Sequence, residues 1–130
     1  MNILVIDDNK FTSDAISDYC RMCNISCKEV NDGRSGLLEI QTKDYDLIIL
    51  DIAMPTYTGF DILNQLQKQR TRNKNIIILT AANLKKKDFE KYKEIGKIQV
   101  LYKPISLSQL DKAIKNSFRQ LIHFNHITID

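Results

Sequence analysis

Three short runs of apolar residues constrain this chain more than any other feature: Ile3-Leu4-Val5-Ile6, Leu47-Ile48-Ile49-Leu50 and Ile76-Ile77-Ile78-Leu79. None alternates apolar with polar, as a strand with one wet face would. Continuous runs of this length suit strands buried on both faces, as in a parallel sheet covered by helices. Two weaker strands accompany them. Residues 25–30 mix Cys27 with Ser26, Lys28 and Glu29, which marks an edge, and Ile98 to Tyr102 forms the last strand.

Helical patterns fill the gaps. Phe11, Ala15, Ile16, Tyr19, Cys20 and Cys23 recur at three- and four-residue steps, with Asn9 as the N-cap. Gly36, Leu37, Leu38 and Ile40 mark a second helix. Phe60, Ile62, Leu63 and Leu66 mark a third, opened by Gly59, and Leu84, Phe89, Tyr92 and Ile95 a fourth, stopped at Gly96. Ser106 or Ser108 caps a fifth, with Leu107, Leu110, Ala113, Ile114, Phe118 and Leu121 as its stripe. Five strand–helix repeats predict an α/β fold with right-handed crossovers. The expected architecture is a flavodoxin-like, doubly wound five-stranded parallel sheet in the order 2-1-3-4-5, with the weak second strand at one edge.

The 130 residues suffice for one domain. No apolar run approaches the roughly 18 residues a membrane span needs. The first strand has four apolar residues followed by two acids, which does not read as an export signal, so a cytoplasmic location is expected. A formal charge of +3 does not argue for nucleic acid. Cys20, Cys23 and Cys27 are an odd set, against a disulfide framework. Cys20 and Cys23 match C-x-x-C, but at the end of a helix, where the dipole does not activate a thiol. Structural thiols are the first reading and metal or redox use the second.

In a sheet of this order the site forms beyond the C-terminal ends of the strands. The first strand ends in Asp7-Asp8, the third in Asp51, the fourth in Thr80 and the fifth in Lys103-Pro104. A lone Asp at a strand end is ordinarily a solvated loop residue, whereas polar groups at four site-forming ends are not so easily dismissed. Two carboxylates about 4 Å apart repel by about 4 kcal/mol at an effective dielectric near 20. Three together call for a raised pKa or a bound cation. Oxygen ligands alone favour a hard ion, Mg²⁺ first, with Mn²⁺ as a substitute. A carboxylate can also act as a nucleophile and form an aspartyl phosphate, with a lysine and a metal ion neutralising the phosphoryl oxygens.

Ile6-Asp7-Asp8-Asn9, Asp51-Ile52-Ala53-Met54-Pro55 with Gly59, Thr80-Ala81 and Lys103-Pro104 resemble the response regulator receiver domain, over roughly residues 2 to 120. The resemblance implies a stand-alone receiver over residues 1–122, a short tail over 123–130 and no output domain. It implies a phosphorylation-activated switch rather than an enzyme. Asp51 would accept a phosphoryl group from a histidine kinase or phosphotransfer protein. Asp8, Asp51 and the backbone carbonyl of Ala53 would bind Mg²⁺ directly, and Asp7 through water. Lys103 would pair with Asp51 and then with the phosphate, from a cis Lys103–Pro104 peptide. Thr80 would turn inward to the phosphate, and Tyr102 would follow it as the aromatic switch. A downstream protein would dock on the face of the fourth helix, fifth strand and fifth helix.

Departures from the family pattern fall on that same face: Gly96-Lys97-Ile98-Gln99-Val100, Ile105 and the opening Lys85-Lys86-Lys87. They bear on the partner rather than the chemistry. The basic stretch, continued by Lys91, Lys93 and Lys97, is interleaved with Asp88, Glu90 and Glu94. It reads first as a solvated helix face with i,i+4 pairs, second as a docking surface for an acidic protein; direct nucleic-acid contact is not expected. His123 and His126 read as surface residues. The competing functions are a degenerate receiver serving as an unphosphorylated scaffold and an aspartyl-phosphate hydrolase of the haloacid dehalogenase type. The latter would need a second acid where Ala53 stands. A flavin or nucleotide carrier would need a phosphate loop where Asp7-Asp8-Asn9 stands.

Overall fold

The computed structural model describes residues 1–81 and 83–118. The expected domain end at residue 122, the tail 123–130, Leu121, His123 and His126 lie outside them. The strands are β1 Asn2–Ile6, β2 Ser26–Val30, β3 Leu47–Asp51, β4 Lys74–Thr80 and β5 Gly96–Tyr102. They form one parallel sheet in the order β2-β1-β3-β4-β5. The α-helices are α1 Lys10–Met22, α2 Gly33–Thr42, α3 Gly59–Lys68 and α4 Leu107–Ser117, and a helix over Lys86–Ile95 lies between β4 and β5.

The apolar runs are buried on both faces. Leu4, Ile6, Ile48, Leu50, Ile76 and Ile78 point into one core beneath α2, α3 and the Lys86–Ile95 helix. Ile3, Val5, Leu47, Ile49, Ile77 and Leu79 point into the other, beneath α1 and α4. Each residue of the middle strands thus has a packing partner on its own side, which removes any reason to alternate. On β2 only Val30 is fully buried, as an edge strand allows.

Capping follows the local sequence. The Asn9 side chain accepts from the backbone N–H groups of Phe11 and Thr12, and Ser106, not Ser108, caps α4 by accepting from Gln109 N–H. The buried line of α1 is Ser13, Ile16 and Cys20: of the expected stripe Ile16 and Cys20 are buried and Tyr19 packs half-buried against the core, whereas Phe11, Ala15 and Cys23 are exposed. Phe11 lies on the other side and is 89% exposed, because a helix turns about 100° per residue and two positions separate Phe11 from Ser13.

The fourth helix is wound as a 3-10 helix. Its buried residues are Phe89, Tyr92 and Ile95, spaced by three, so a winding of 3.0 residues per turn stacks them on one line facing the core. Phe89 stacks on Phe60 of α3 at 5.5 Å between ring centroids, and the Tyr92 hydroxyl donates to Asn64 Oδ1 at 2.7 Å. The expected i,i+4 ion pairs along this helix are absent among the described residues; Glu94 pairs instead with Arg72 across the gap, at 3.1 Å. The helix stops at Gly96, whose φ is +152° and where a Cβ would lie 1.8 Å from the carbonyl oxygen of Lys74. Only glycine fits there, so the turn into β5 is written into the sequence at one position. Among the described residues no helix is long and apolar enough to cross a membrane.

Candidate functional site at the C-terminal rim of the sheet

The strand register sets the site. Ile6, Leu50, Ile78 and Val100 lie side by side across four strands. One step further along stand Asp7, Asp51, Leu79 and Leu101, and one step beyond that Thr80 pairs with Tyr102. The ladder continues past the strand ends, with Ile52 N–H donating to Leu79 O at 3.0 Å and Lys103 N–H to Thr80 O at 2.8 Å. The four polar strand ends therefore meet at one rim.

Asp7 and Asp51 are buried, Asp8 is exposed, and carboxylate oxygens of all three lie within 4.8 Å of one another. The Lys103 ammonium lies 3.2 Å from Asp7 Oδ2 and 3.5 Å from Asp51 Oδ1. The expected Lys103–Asp51 pair is there, but Lys103 hydrogen-bonds the deeper Asp7 as well. Its peptide bond to Pro104 is cis, as expected. Asp51 Oδ1 also accepts from Ala53 N–H at 3.2 Å.

Three carboxylates against one ammonium leave an excess of negative charge. Burial, then the charge of Asp7, pushes the Asp51 carboxyl up to about 6; Lys103 and the Ala53 N–H offset this only in part. Burial pulls the Lys103 ammonium down, but the carboxylates of Asp51 and Asp7 outweigh it and hold the lysine above its ordinary value. A donor set made only of oxygens, carrying surplus charge and open on the Asp8 side, fits a hard divalent cation.

Thr80 is buried, and its hydroxyl has no hydrogen-bond partner among the described residues. Leaving a buried hydroxyl unpaired costs about 1–3 kcal/mol, so this oxygen is set for a partner that the protein itself does not supply. Tyr102, beside it in the ladder, is 39% exposed.

One support of the site, centred on Asn31, is not part of the sequence reading. The Asn31 side chain donates to the Asp7 carbonyl oxygen at 2.8 Å and to Ser13 Oγ at 3.0 Å. Ser13 in turn donates to Glu29 at 2.8 Å. Asn31 follows the end of β2, so applying the strand-end rule to the second strand as well finds it. Gly59, which the sequence places at the opening of the third helix, lets α3 start directly under the loop that follows Asp51: its N–H donates to Ile52 O at 3.1 Å, and a Cβ there would meet the Asp51 carbonyl oxygen at 2.7 Å. The thiols of Cys20, Cys23 and Cys27 are free; Cys20 and Cys27 touch between α1 and β2. No metal-binding cluster among the described residues includes them.

Beside the rim, a groove of about 570 Å³ runs between α1 and α4. Lys103 and Asn9 lie at its site end, and the exposed side chains of Phe11 and Leu107 flank it.

Comparison with known proteins agrees with this geometry. The family model described as "Response regulator receiver domain" matches residues 3–115. The transcriptional regulatory protein HprR of Escherichia coli is 33% identical over 120 residues, covering 92% of this chain and 52% of HprR. The regulatory protein VanRc of Enterococcus gallinarum is 28% identical over 128 residues, covering 97% of this chain and 53% of VanRc. The chain thus spans about half the length of these relatives. The solved receiver domain of the Francisella response regulator 1452 superposes with a TM-score of 0.76 at 28% identity, covering 92% of this chain and 98% of that one. The chain belongs to the response regulator receiver domain family.

Proposed function

We propose that this receiver is a phosphorylation-activated switch in which Asp51 is the acceptor. One observation carries the reading: a buried carboxylate, Asp51, is set against an ammonium and two further carboxylates at a single sheet rim. Asp8, Asp51 and the Ala53 carbonyl would hold Mg²⁺, with Asp7 acting through water. When bound, the cation neutralises oxygens of the incoming phosphoryl group and keeps Asp51 ionised. An Asp51 oxygen attacks phosphorus, the bond from phosphorus to the donor's imidazole nitrogen breaks, and that nitrogen takes a proton. Lys103, already between Asp7 and Asp51, moves its charge onto the phosphoryl oxygens. The donor is a histidine kinase or phosphotransfer protein, and the groove beside Lys103 offers it an apolar seat.

The output follows from Thr80. Its unpaired hydroxyl donates to the new phosphoryl oxygens, and Tyr102 moves into the space this frees. The change reaches the 3-10 helix and β5, a population shift driven by a local charge event. Thr80→Val separates the two roles. It is expected to raise the melting temperature of the unphosphorylated protein by about 3 °C, because an unsatisfied hydroxyl is removed at a gain near 1 kcal/mol. It should also abolish beryllofluoride-induced NMR shifts from residue 84 to Tyr102. A full response in this variant would show that the hydroxyl is not the coupling element.

The test of the whole reading is intact mass after treatment with acetyl phosphate and Mg²⁺. A receiver gains one labile phosphate, a hydrolase turns over, and a scaffold does neither. Either of the last two results would overturn the proposal.

A further inference from the structure

Asp8 is the one exposed carboxylate of the rim, yet the peptide planes on both sides of it are held. A peptide unit is rigid, so a bond to its carbonyl or to its N–H restrains the whole plane. Before Asp8, the Asp7 carbonyl accepts from the Asn31 side chain at 2.8 Å. After it, Asn9 N–H donates to Asp7 Oδ1 at 2.9 Å. The second anchor lies within the loop itself, whereas the first comes from the neighbouring strand end. Asp7 N–H still donates to Val30 O at 3.1 Å, and beyond that bond the Asn31 amide continues the tie between β1 and β2.

The Asn31 amide is itself fixed in direction. A carbonyl can only accept, so the amide nitrogen and not its oxygen faces Asp7. The same nitrogen also donates to Ser13 Oγ at 3.0 Å. Ser13 is fully buried, and a hydroxyl has one hydrogen to give; having accepted from Asn31, it donates to Glu29 Oε1 at 2.8 Å. Glu29 is held in turn by the Lys10 ammonium at 3.3 Å. The run from Asn31 through Ser13 thus ends on a carboxylate, and a charged acceptor strengthens the hydrogen bonds that lead to it. Among the described residues, none of Asn31, Ser13 and Glu29 hydrogen-bonds Asp51, Lys103 or Thr80.

We infer that Asn31 is a positioning residue for the cation: through the Asp7 carbonyl it aims Asp8, and so sets the affinity for Mg²⁺ without taking part in phosphoryl transfer. The inference rests on the cation reading above. An exposed side chain on a free backbone loses much freedom when it binds an ion, whereas one whose backbone is already held loses less. Hydrogen-bond partners behind a metal ligand typically matter by about 10–100-fold in affinity. The lower end applies here, because Asn31 restrains the backbone at Asp8 and leaves the side-chain rotations of Asp8 free.

The experiment titrates Mg²⁺ against the melting temperature of the full chain. Asn31→Ala should weaken Mg²⁺ binding about tenfold. Labelling by acetyl phosphate should slow in this variant at limiting Mg²⁺ and recover as Mg²⁺ is raised. Asn31→Gln, which keeps the amide donor on a longer stem, should bind Mg²⁺ more tightly than Asn31→Ala. In an Asp8→Ala background, Asn31→Ala should cost almost nothing further, because Asn31 acts through Asp8. A bond of structural value only would lower the melting temperature equally at every Mg²⁺ concentration, and that result would overturn the inference. So would losses that add in the double variant, or Asn31→Gln binding no better than Asn31→Ala. If the wild type shows no rise in melting temperature with Mg²⁺, the cation reading fails and this inference falls with it. A wild-type rise that Asn31→Ala matches sinks the inference alone.

Discussion

Asp51→Asn is expected to gain no phosphate from acetyl phosphate and Mg²⁺, against one labile phosphate per wild-type chain. The amide is nearly isosteric with the carboxylate but is no nucleophile, so the loss is total rather than graded. Intact-mass measurement checks this, and full residual labelling would place the acceptor elsewhere. The same substitution has a second expected effect, on stability without metal. The wild-type carboxyl is pushed up to about 6, from an ordinary value of 3.8. The folded chain therefore holds this proton more tightly than the unfolded chain, and folding loses stability as pH rises from about 4 to 6. Above that window the full penalty applies, on the order of 2–3 kcal/mol. In EDTA, Asp51→Asn should melt higher than wild type at pH 8 and show little advantage at pH 4. An advantage of the same size at both pH values would show that Asp51 is not the strained group.

Lys103→Met is expected to move two measurements in opposite directions. Without the ammonium, nothing from β5 neutralises the phosphoryl oxygens, and removing one such preorganised donor typically costs a factor of about 10²–10³ in rate. Acetyl phosphate labelling should slow accordingly. Mg²⁺ affinity should rise, because the three carboxylates lose the one cation now placed 3.2 Å from Asp7 and 3.5 Å from Asp51. A unit charge about 4 Å away is worth roughly 4 kcal/mol at an effective dielectric near 20, so at least a tenfold gain is expected after relaxation. Titration of Mg²⁺ against melting temperature reads this directly. Slower labelling together with weaker Mg²⁺ binding would instead mean that Lys103 holds the loops in place and that its charge is secondary.

The two effects depend on a feature that strand ends alone do not show. Lys103 stands two ladder steps past the row of Asp7 and Asp51 and reaches back to both. Its partner choice follows from side-chain depth. Asp7 is fully buried, held by Asn9 N–H at its side chain and by Asn31 at its carbonyl, so the deeper carboxylate takes the shorter contact.

The fold class and the place of the site were legible in the sequence because both depend on short-range patterns. Unbroken apolar runs report burial on two faces, and a strand's last residue is a local property that fold topology turns into a position at the rim. The three-residue spacing of Phe89, Tyr92 and Ile95 is also in the sequence, but it fits an α-helical stripe and a 3-10 stripe alike, since both periods share a step of three. The remaining features belong to the tertiary structure. Which face of α1 turns inward was decided by Ser13 meeting Glu29 and Asn31, contacts between residues sixteen and eighteen positions apart, and this left Phe11 outside. That the Thr80 hydroxyl lacks a partner among the described residues depends on every neighbour packed around it. That Lys103 serves two acids depends on a contact spanning 96 positions. Sequence periodicity carries the repeat of a single element, whereas register, depth and charge pairing are set only when distant elements pack.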